Sequence, residues 1–208
     1  MSNVSPHLEN PKASAKTDTH ATKSKALRTA ANILGMLEHT HNTDNGQPVM
    51  TLKAGVTAVI GDEGRGKTRL LHQLAEAYQG QVFACDLKLP HQDNDTAQAC
   101  WDAWRASHPH FDDALLQELI DALSLREHTH KQLFMLSTGS RRKVAIAGAL
   151  ASGATVTLLD QPFVSLDAVS IQAVLDFLQD MSTHPTRAWV VADYTAPAGV
   201  DLAALIAL

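Results

Sequence analysis

The sequence predicts an α/β fold with a mainly parallel sheet, helices on both faces and a small helical insert. Short runs of β-branched and apolar residues alternate with longer segments in which apolar residues recur at helical spacing, and this alternation is typical of a parallel sheet covered by helices. A segment of about 90–136 carries mainly helical patterns, which indicates the insert. With 208 residues and 45% hydrophobic composition, the chain is long enough to close one buried core and short for two.

Charge and composition argue against several classes of function. The formal net charge of -5 argues against a nucleic-acid partner, because such proteins neutralise phosphate backbones with clustered Lys and Arg. Cys85 and Cys100 lack the spacing of a metal or disulfide motif, which favours a reducing cytoplasm. No apolar run reaches the length of about 18 residues that a membrane-spanning helix needs. The expected location is therefore cytoplasmic, or peripheral at the inner face of a membrane.

The chain is expected to form one domain over residues 26–208, preceded by a disordered tail over residues 1–25. The tail is rich in Ser, Thr, Ala, Lys and Asn and has almost no large apolar residue, so it cannot offset the entropy of ordering. Ala26–Leu37 either forms a short helix or runs into a first strand, and Met36 is an alternative start. The sequence leaves these alternatives open.

The first clear strand, Val56–Ile60, is followed by a glycine-rich loop and then by a helix. Val82–Cys85 is a candidate second strand that ends near a polar loop. Within the insert, Asp112 or Asp113 can cap a helix. The apolar positions of these helices are Leu70, Leu71, Leu74, Ala75 and Tyr78 in the first, and Leu115, Leu116, Leu119, Ile120 and Leu123 in the second.

The alternation of strands and helices resumes after the insert. A helix precedes a buried strand over Val156–Leu159, another helix follows it, and Ala188–Ala192 closes the series as a strand. The two helices carry their apolar residues at Val144, Ala147, Leu150 and Ala151, and at Ile171, Val174, Leu175 and Leu178.

The glycine-rich loop between the first strand and the first helix fits the pattern G-x-x-x-x-G-K-S/T, in the strand and helix context which that pattern requires. Its glycines allow successive backbone N–H groups to face one point, where the helix amino terminus adds positive potential. Lys67 is expected to reach the terminal phosphates of ATP, and the Thr68 hydroxyl to bind Mg²⁺. The loop therefore predicts a P-loop NTPase with Mg-ATP bound at Gly61, Asp62, Glu63, Gly64, Arg65, Gly66, Lys67 and Thr68.

A carboxylate ends the strand that follows the insert, in the segment Leu158-Leu159-Asp160. Nucleotide hydrolases that begin with such a loop place a second magnesium-positioning group on a later strand. An apolar strand followed by Asp is common, so this feature gains its weight from its partnership with the loop. Asp160 is therefore a candidate magnesium ligand beside Thr68.

A third motif lies between these two, in the segment Leu136–Lys143, and it resembles the signature of the ATP-binding cassette (ABC) ATPases, Leu-Ser-Gly-Gly-Gln before a helix. Ser137 and Gly139 match that signature, whereas Thr138 and Ser140 depart from it conservatively. After Asp160, the residues Pro162, Ser165, Leu166 and Asp167 resemble the Pro and the Ser-Leu-Asp turn of the same family. The resemblance covers residues 52–194, most of the chain.

This resemblance implies a nucleotide sandwich dimer. In such a dimer the Lys67 loop of one subunit and the Ser137, Thr138 and Gly139 segment of the other close on the same ATP, with Asp167 close to it. The second subunit is either another copy of this chain or a paralogue. A separately encoded membrane-spanning partner is implied as well.

The departures from the family pattern bear on catalysis. Gln161 stands where the family carries a glutamate, and an amide can hydrogen-bond a water but cannot take its proton. Asp193 stands where the family carries a histidine, and Asp86 is the best alignment for the loop glutamine that binds the metal. With Lys67, Gln161 and Asp193 as the catalytic set, hydrolysis of ATP is expected to be weak or slow. No aromatic residue before Gly55 stands out as a partner for adenine.

Two further patterns have simpler interpretations. The His39/His41, His108/His110 and His128/His130 pairs lack the third and fourth ligands that zinc needs, so they are interpreted as solvated loop residues. Arg141, Arg142 and Lys143 are interpreted as a solvated face at the start of a helix rather than as a phosphate-binding patch.

Three functions compete on this basis. The first is an ATP-binding subunit of an ABC transporter, with the segment between Asp86 and Leu136 as the docking side. The second is a nucleotide-gated regulatory module without a transport partner, which Gln161 favours. The third is a nucleotide-metabolising kinase, which would leave Leu136–Ser140 without a role.

Overall fold

A computed structural model describes residues 51–208 of the chain. The expectations for the tail, for Ala26–Leu37 and for His39 and His41 lie outside these residues. The described residues all belong to one compact unit.

Residues 51–208 form a parallel sheet of five strands in the order β2-β3-β4-β1-β5, and the alternating pattern predicted a mainly parallel sheet without this order. Parallel strands require crossover connections. Helices supply those from β1 to β2, from β2 to β3 and from β3 to β4, whereas residues 194–201 carry the chain from β4 to β5 without a helix. The strands are β1 (Gly55–Ile60), β2 (Val82–Ala84), β3 (Val156–Asp160), β4 (Ala188–Asp193) and β5 (Leu202–Ala207). The predicted fold class, a P-loop NTPase with a mainly parallel sheet, is confirmed.

Residues 51–208 also form five α-helices and two short 3-10 helices. The side chains of Thr96, Asp112, Ser137 and Asp167 accept hydrogen bonds from backbone N–H groups in the first turns of four of these helices. The helices are α1 (Lys67–Ala77), α2 (Ala97–Ser107), α3 (Asp113–Ala122), α4 (Thr138–Ala151) and α5 (Ala168–Asp180), with 3-10 helices at Arg126–His128 and Leu133–Met135. In the part of the chain that the structure describes, no helix is both long and apolar enough to cross a bilayer.

Helix α4 runs through the core, and its residues 144–151 are all buried. It lies against α2, where the Trp101 Nε1 donates a hydrogen bond of 3.0 Å to the Val144 carbonyl oxygen. At Gly148 an added Cβ would overlap the ring of Trp104. This close approach fixes the signature end of α4 relative to the helices between β2 and α4.

The strand β5 is the main difference from the predicted elements, because the series does not close at Ala192. Leu202–Ala207 pairs in parallel with β1 on the side opposite β4. Its sequence, Leu-Ala-Ala-Leu-Ile-Ala, consists mostly of residues that favour helices, so local propensity did not indicate a strand. Pairing with the exposed edge of β1 overrides that propensity.

Candidate functional site

The phosphate loop connects the end of β1 to the start of α1, as the motif predicts. Gly64 and Gly66 have φ values of 73° and 98°, a left-handed conformation that side chains other than glycine rarely adopt. Gly66 is the N-cap of α1 and offers no side chain to cap it. The first-turn N–H groups of α1 are therefore left for an anionic ligand, which is the arrangement that binds phosphates.

Lys67 is folded back over its own loop. Its side chain is buried, and its Nζ donates hydrogen bonds to the carbonyl oxygens of Gly61 and Asp62, the latter at 3.0 Å. The Nζ also lies 4.7 Å from the ring centroid of Tyr194. To contact a phosphate, the ammonium group has to exchange these carbonyl oxygens for phosphate oxygens.

Thr68 and Asp160 lie together, although 92 positions separate them along the chain: the Thr68 Oγ1 donates a 2.7 Å hydrogen bond to the Asp160 Oδ2. Across residues 51–208, no three His, Cys, Asp or Glu side chains form a metal-binding group. Mg²⁺ at nucleotide sites takes one or two protein ligands and completes its octahedron with phosphate oxygens and water. A hydroxyl and a carboxylate at this separation fit that ion, and with ATP they would supply its protein ligands.

A cleft of about 660 Å³ extends from Thr68 along α1 and the edge of β2. Thr68, Asp86, Asp160 and Gln161 line it, while the glycines of the phosphate loop do not, so the cleft lies beside the loop. The cleft also includes Cys85, and burial raises the pKa of this thiol to about 12, so the group stays protonated and is a poor nucleophile.

Gln161 follows β3 in a left-handed conformation, with φ of 49°. Its backbone makes three hydrogen bonds, of which one is a local bond of 3.4 Å from the N–H of Val164 to the Gln161 carbonyl oxygen and two come from distant elements. The Gln161 N–H donates to the Ala192 carbonyl oxygen at 2.8 Å, and the Gln161 carbonyl oxygen accepts from the Arg142 guanidinium. Its amide side chain is able to orient a water molecule in the cleft but, unlike a carboxylate, not to accept a proton from it.

The interpretation of Arg141–Lys143 as a solvated face is wrong. Arg142 is 4% exposed, and all three side chains contact residues elsewhere in the fold. Burial lowers the pKa of Arg142, and the nearby carboxylates of Asp86, Asp160 and Asp193 oppose that shift. A buried cation among these carboxylates is a structural part of the site.

The other two contacts extend from the same helical turn. Lys143 Nζ lies 2.5 Å from Asp167 Oδ2, and this ammonium, together with the N–H of Ser170, holds the pKa of Asp167 well below its usual range. Arg141 pairs with Asp93 and donates to the Leu89 carbonyl oxygen at 2.6 Å. The side chains of residues 141–143 therefore bind both the loop around residues 89–93 and the segment 161–167.

The signature segment lies at the amino terminus of α4. Ser137 caps the helix, and its Oγ accepts a hydrogen bond of 3.1 Å from the N–H of Ser140, while Ser137 and Thr138 are exposed. An added Cβ at Gly139 would overlap the Ser165 carbonyl oxygen, which explains a glycine at this position. Ser165 itself has a left-handed φ of 64°.

The structure brings most of the predicted residues together, but not all. Asp160, Gln161 and Asp193 lie at the carboxyl ends of β3 and β4 or directly after them, and Lys67 and Thr68 begin α1, after the loop that follows β1. Within the described chain, no hydrogen bond or ion pair joins Ser137–Gly139 to the phosphate loop.

Asp193 and Tyr194 end β4 beside the loop. Asp193 is 9% exposed, and its Oδ1 accepts a 2.7 Å hydrogen bond from the Tyr194 N–H. Tyr194 is 48% exposed. The sequence analysis missed both Tyr194 and Arg142. For Tyr194, its position directly after Asp193 was an available signal, whereas nothing in the sequence indicated the burial of Arg142.

Comparison with known proteins gives consistent results. A family model described as ABC transporter matches residues 47–164. The manganese transport system ATP-binding protein MntB of Halalkalibacterium halodurans is 28% identical over 158 residues, which are 64% of this chain and 63% of that protein. The phosphonates import ATP-binding protein PhnC of Trichormus variabilis is 36% identical over 76 residues, 36% of this chain and 31% of that protein. The chain thus matches less than two thirds of the length of these relatives.

Solved structures share the fold. An ABC transporter ATP-binding protein from Pyrococcus furiosus superposes with a TM-score of 0.60 at 18% identity, over 77% of this chain and 91% of that one. The complex of an archaeal ribosomal stalk protein with the ribosome recycling factor aABCE1 superposes with a TM-score of 0.54 at 24% identity, over 70% of this chain and 30% of that one. At these identities the likeness concerns the fold alone. Since the family model covers more than half of the residues, this chain belongs to the ABC transporter family as an ATP-binding domain.

Proposed function

We propose that the chain is the Mg-ATP-binding subunit of an ABC transporter, that it closes on a second subunit around ATP, and that it hydrolyses ATP slowly. The observation that carries the proposal is the hydrogen bond of 2.7 Å between Thr68 and Asp160 at the mouth of the phosphate loop. This contact supports the proposal, because the two residues proposed as magnesium ligands lie together beside the N–H groups and the lysine proposed to bind phosphates. The relatives are ATP-binding proteins of transport systems, which supports the transporter assignment.

The sandwich arrangement is proposed because, among residues 51–208, no hydrogen bond or ion pair joins the signature segment to the phosphate loop. Ser137 and Thr138 are exposed at a helix amino terminus, a position that favours an anion. A second subunit, either another copy or a paralogue, would bring its γ-phosphate to this terminus. A separate membrane-spanning partner and a peripheral position at the cytoplasmic face complete the proposal.

Slow hydrolysis is proposed because Gln161 lines the cleft beside Thr68 and Asp160 in place of a carboxylate. A general base contributes about 10² to 10⁴ in rate, and an amide does not supply this contribution. ATP would therefore hold the two subunits closed for long periods.

The proposal is tested first by ATP binding to Lys67→Ala. Removing the ammonium group should lower the affinity for Mg-ATP roughly tenfold to a hundredfold, since a hydrogen bond to a charged group contributes about 1.5 to 3 kcal/mol. Isothermal titration calorimetry measures the affinity for Mg-ATP. Lys131→Ala is the control, because it removes a lysine from the turn after Arg126–His128 and should leave the affinity unchanged. Equal affinities in all three proteins would refute the site.

A second function is a nucleotide-gated regulatory module that closes on ATP and opens by exchange, which Gln161 favours. Affinity purification of the full chain from detergent-solubilised membranes distinguishes the two functions. Stoichiometric recovery of a multi-span protein with the chain favours transport. Recovery of the chain from the soluble fraction alone, in an ATP-dependent complex, favours the regulatory module.

A further inference from the structure

Tyr194 lies closer to the phosphate-binding lysine than its place in the sequence suggests. Its ring centroid is 4.7 Å from the Lys67 Nζ, a distance at which the ring attracts the ammonium group. About half of its surface is exposed, and its hydroxyl has no hydrogen-bond partner among residues 51–208. Among residues 51–208, a tyrosine whose hydroxyl has no hydrogen-bond partner therefore lies with its ring beside the group that is expected to bind the terminal phosphates.

Asp193, the neighbouring candidate, is placed for a different task. Its carboxylate is buried and accepts the N–H of Tyr194 at 2.7 Å, so it anchors the backbone from which the tyrosine ring projects. A carboxylate facing a phosphate would also add like-charge repulsion, whereas a phenol is neutral and able to donate a hydrogen bond. Asp193 therefore holds the backbone in place, and Tyr194 offers an exposed hydroxyl as a donor.

The strand register places the backbone of Tyr194 next to the start of the phosphate loop. The end of β4 pairs with the end of β1, where Asp193 lies opposite Ile60, one residue before the phosphate loop. On the other side of β4, the carbonyl oxygen of Ala192 accepts the N–H of Gln161. Tyr194 thus follows a strand whose end is fixed between the phosphate loop and the residue that faces the attacking water in the proposed reaction.

We propose that the Tyr194 hydroxyl donates a hydrogen bond to an oxygen of the γ-phosphate of ATP, while the tyrosine ring guides the ammonium group of Lys67. The assignment rests on the proposed function, since it requires ATP at the phosphate loop. ADP lacks the γ-phosphate, so this hydrogen bond distinguishes ATP from ADP. Tyr194 would then make the site sensitive to the nucleotide state before any hydrolysis occurs.

The experiment compares Tyr194→Phe with the native protein for both nucleotides in the presence of Mg²⁺. The variant keeps the ring and loses only the hydroxyl, so its affinity for ATP should fall roughly tenfold and its affinity for ADP should not change. Tyr78→Phe is the matched control, since Tyr78 is the other tyrosine of the chain and its hydroxyl accepts the N–H of Leu52 at 2.7 Å. The ATP-to-ADP affinity ratio of this control should equal that of the native protein.

An unchanged ratio in Tyr194→Phe, with native ATP binding intact, overturns the assignment alone. A native protein that binds no ATP overturns the proposed function and the assignment together. If Tyr194→Phe does not fold, Tyr78→Phe still decides the question, because Tyr194 is then the only tyrosine. With ring-labelled tyrosine, its NMR signal should shift on addition of Mg-ATP and not of Mg-ADP, and an identical response to both nucleotides overturns the assignment.

Discussion

Gln161 shows how much of a site can depend on one backbone conformation. The left-handed region costs a residue other than glycine roughly 1–3 kcal/mol, and it persists only where the surroundings hold it. Here the carbonyl oxygen of Ala192 and the guanidinium of Arg142 hold it. The sequence predicted which side chain stands after Asp160, but the two contacts that fix its direction come from β4 and α4 and have no local pattern.

Restoring a carboxylate at this residue should raise the rate of hydrolysis. In Gln161→Glu the side chain keeps its size and gains a proton acceptor, so turnover should rise, by up to about 10² to 10⁴ if the carboxylate reaches the attacking water. Steady-state phosphate release at saturating Mg-ATP measures the change. Gln117→Glu, the same exchange on the exposed side of α3, is the control and should leave turnover as it is. A native rate within the usual enzyme range, not raised by Gln161→Glu, would mean that another group acts as the base.

At the scale of elements, the start of α4 joins the signature segment to the segment 161–167 that follows β3. Gly139 lies against Ser165, Arg142 binds the Gln161 carbonyl oxygen and Lys143 pairs with Asp167. The apolar spacing of Val144–Ala151 was sufficient to predict the helix. The same spacing did not predict that charged residues at the start of the helix would be covered, because long charged side chains are usually exposed. Arg142 is buried and Lys143 is partly covered here because the segment 161–167 packs against them.

Arg142→Met tests whether this buried contact stabilises the fold. The variant keeps an unbranched side chain but leaves the Gln161 carbonyl oxygen without its charged donor, so the free energy of unfolding should fall by about 1.5–3 kcal/mol. Arg126→Met is the matched control: it removes an exposed arginine paired with Asp121, and such surface pairs contribute only about 0–1 kcal/mol. Urea denaturation measures both. Equal losses in the two variants would contradict a structural role for Arg142.

At the scale of the whole molecule, the sequence predicted the layered parallel fold and most of its strands, and the structure added β5. The structure of one chain does not include the signature segment that is proposed to complete its ATP site, because that segment is expected to come from another subunit. Ser137 and Thr138 are exposed, and no hydrogen bond or ion pair joins Ser137–Gly139 to the phosphate loop among residues 51–208, which is why the assembly is a proposal about two chains.

Nucleotide-dependent association tests that proposal. With Mg-ATP the native protein should dimerise, and with Mg-ADP it should remain monomeric, because only a γ-phosphate reaches the partner's helix terminus. Ser137→Arg should abolish the dimer by steric and charge conflict, whereas Ser107→Arg, at the exposed end of α2, should not. Multi-angle light scattering gives the mass. A monomer with Mg-ATP at high protein concentration would contradict a homodimer and favour a paralogous partner.

The strand order also determines when during synthesis this protein acquires its function. Both neighbours of β1 in the sheet, β4 and β5, are made after the other strands of residues 51–208. When the ribosome has translated the phosphate loop, the strands that pair with β1 have not yet been made. This non-local pairing cannot form until β4 and β5 are available. Until Leu202–Ala207 leaves the exit tunnel, the edge of β1 that pairs with β5 has no partner strand. ATP capture is therefore expected only after β5 has left the ribosome and paired with β1.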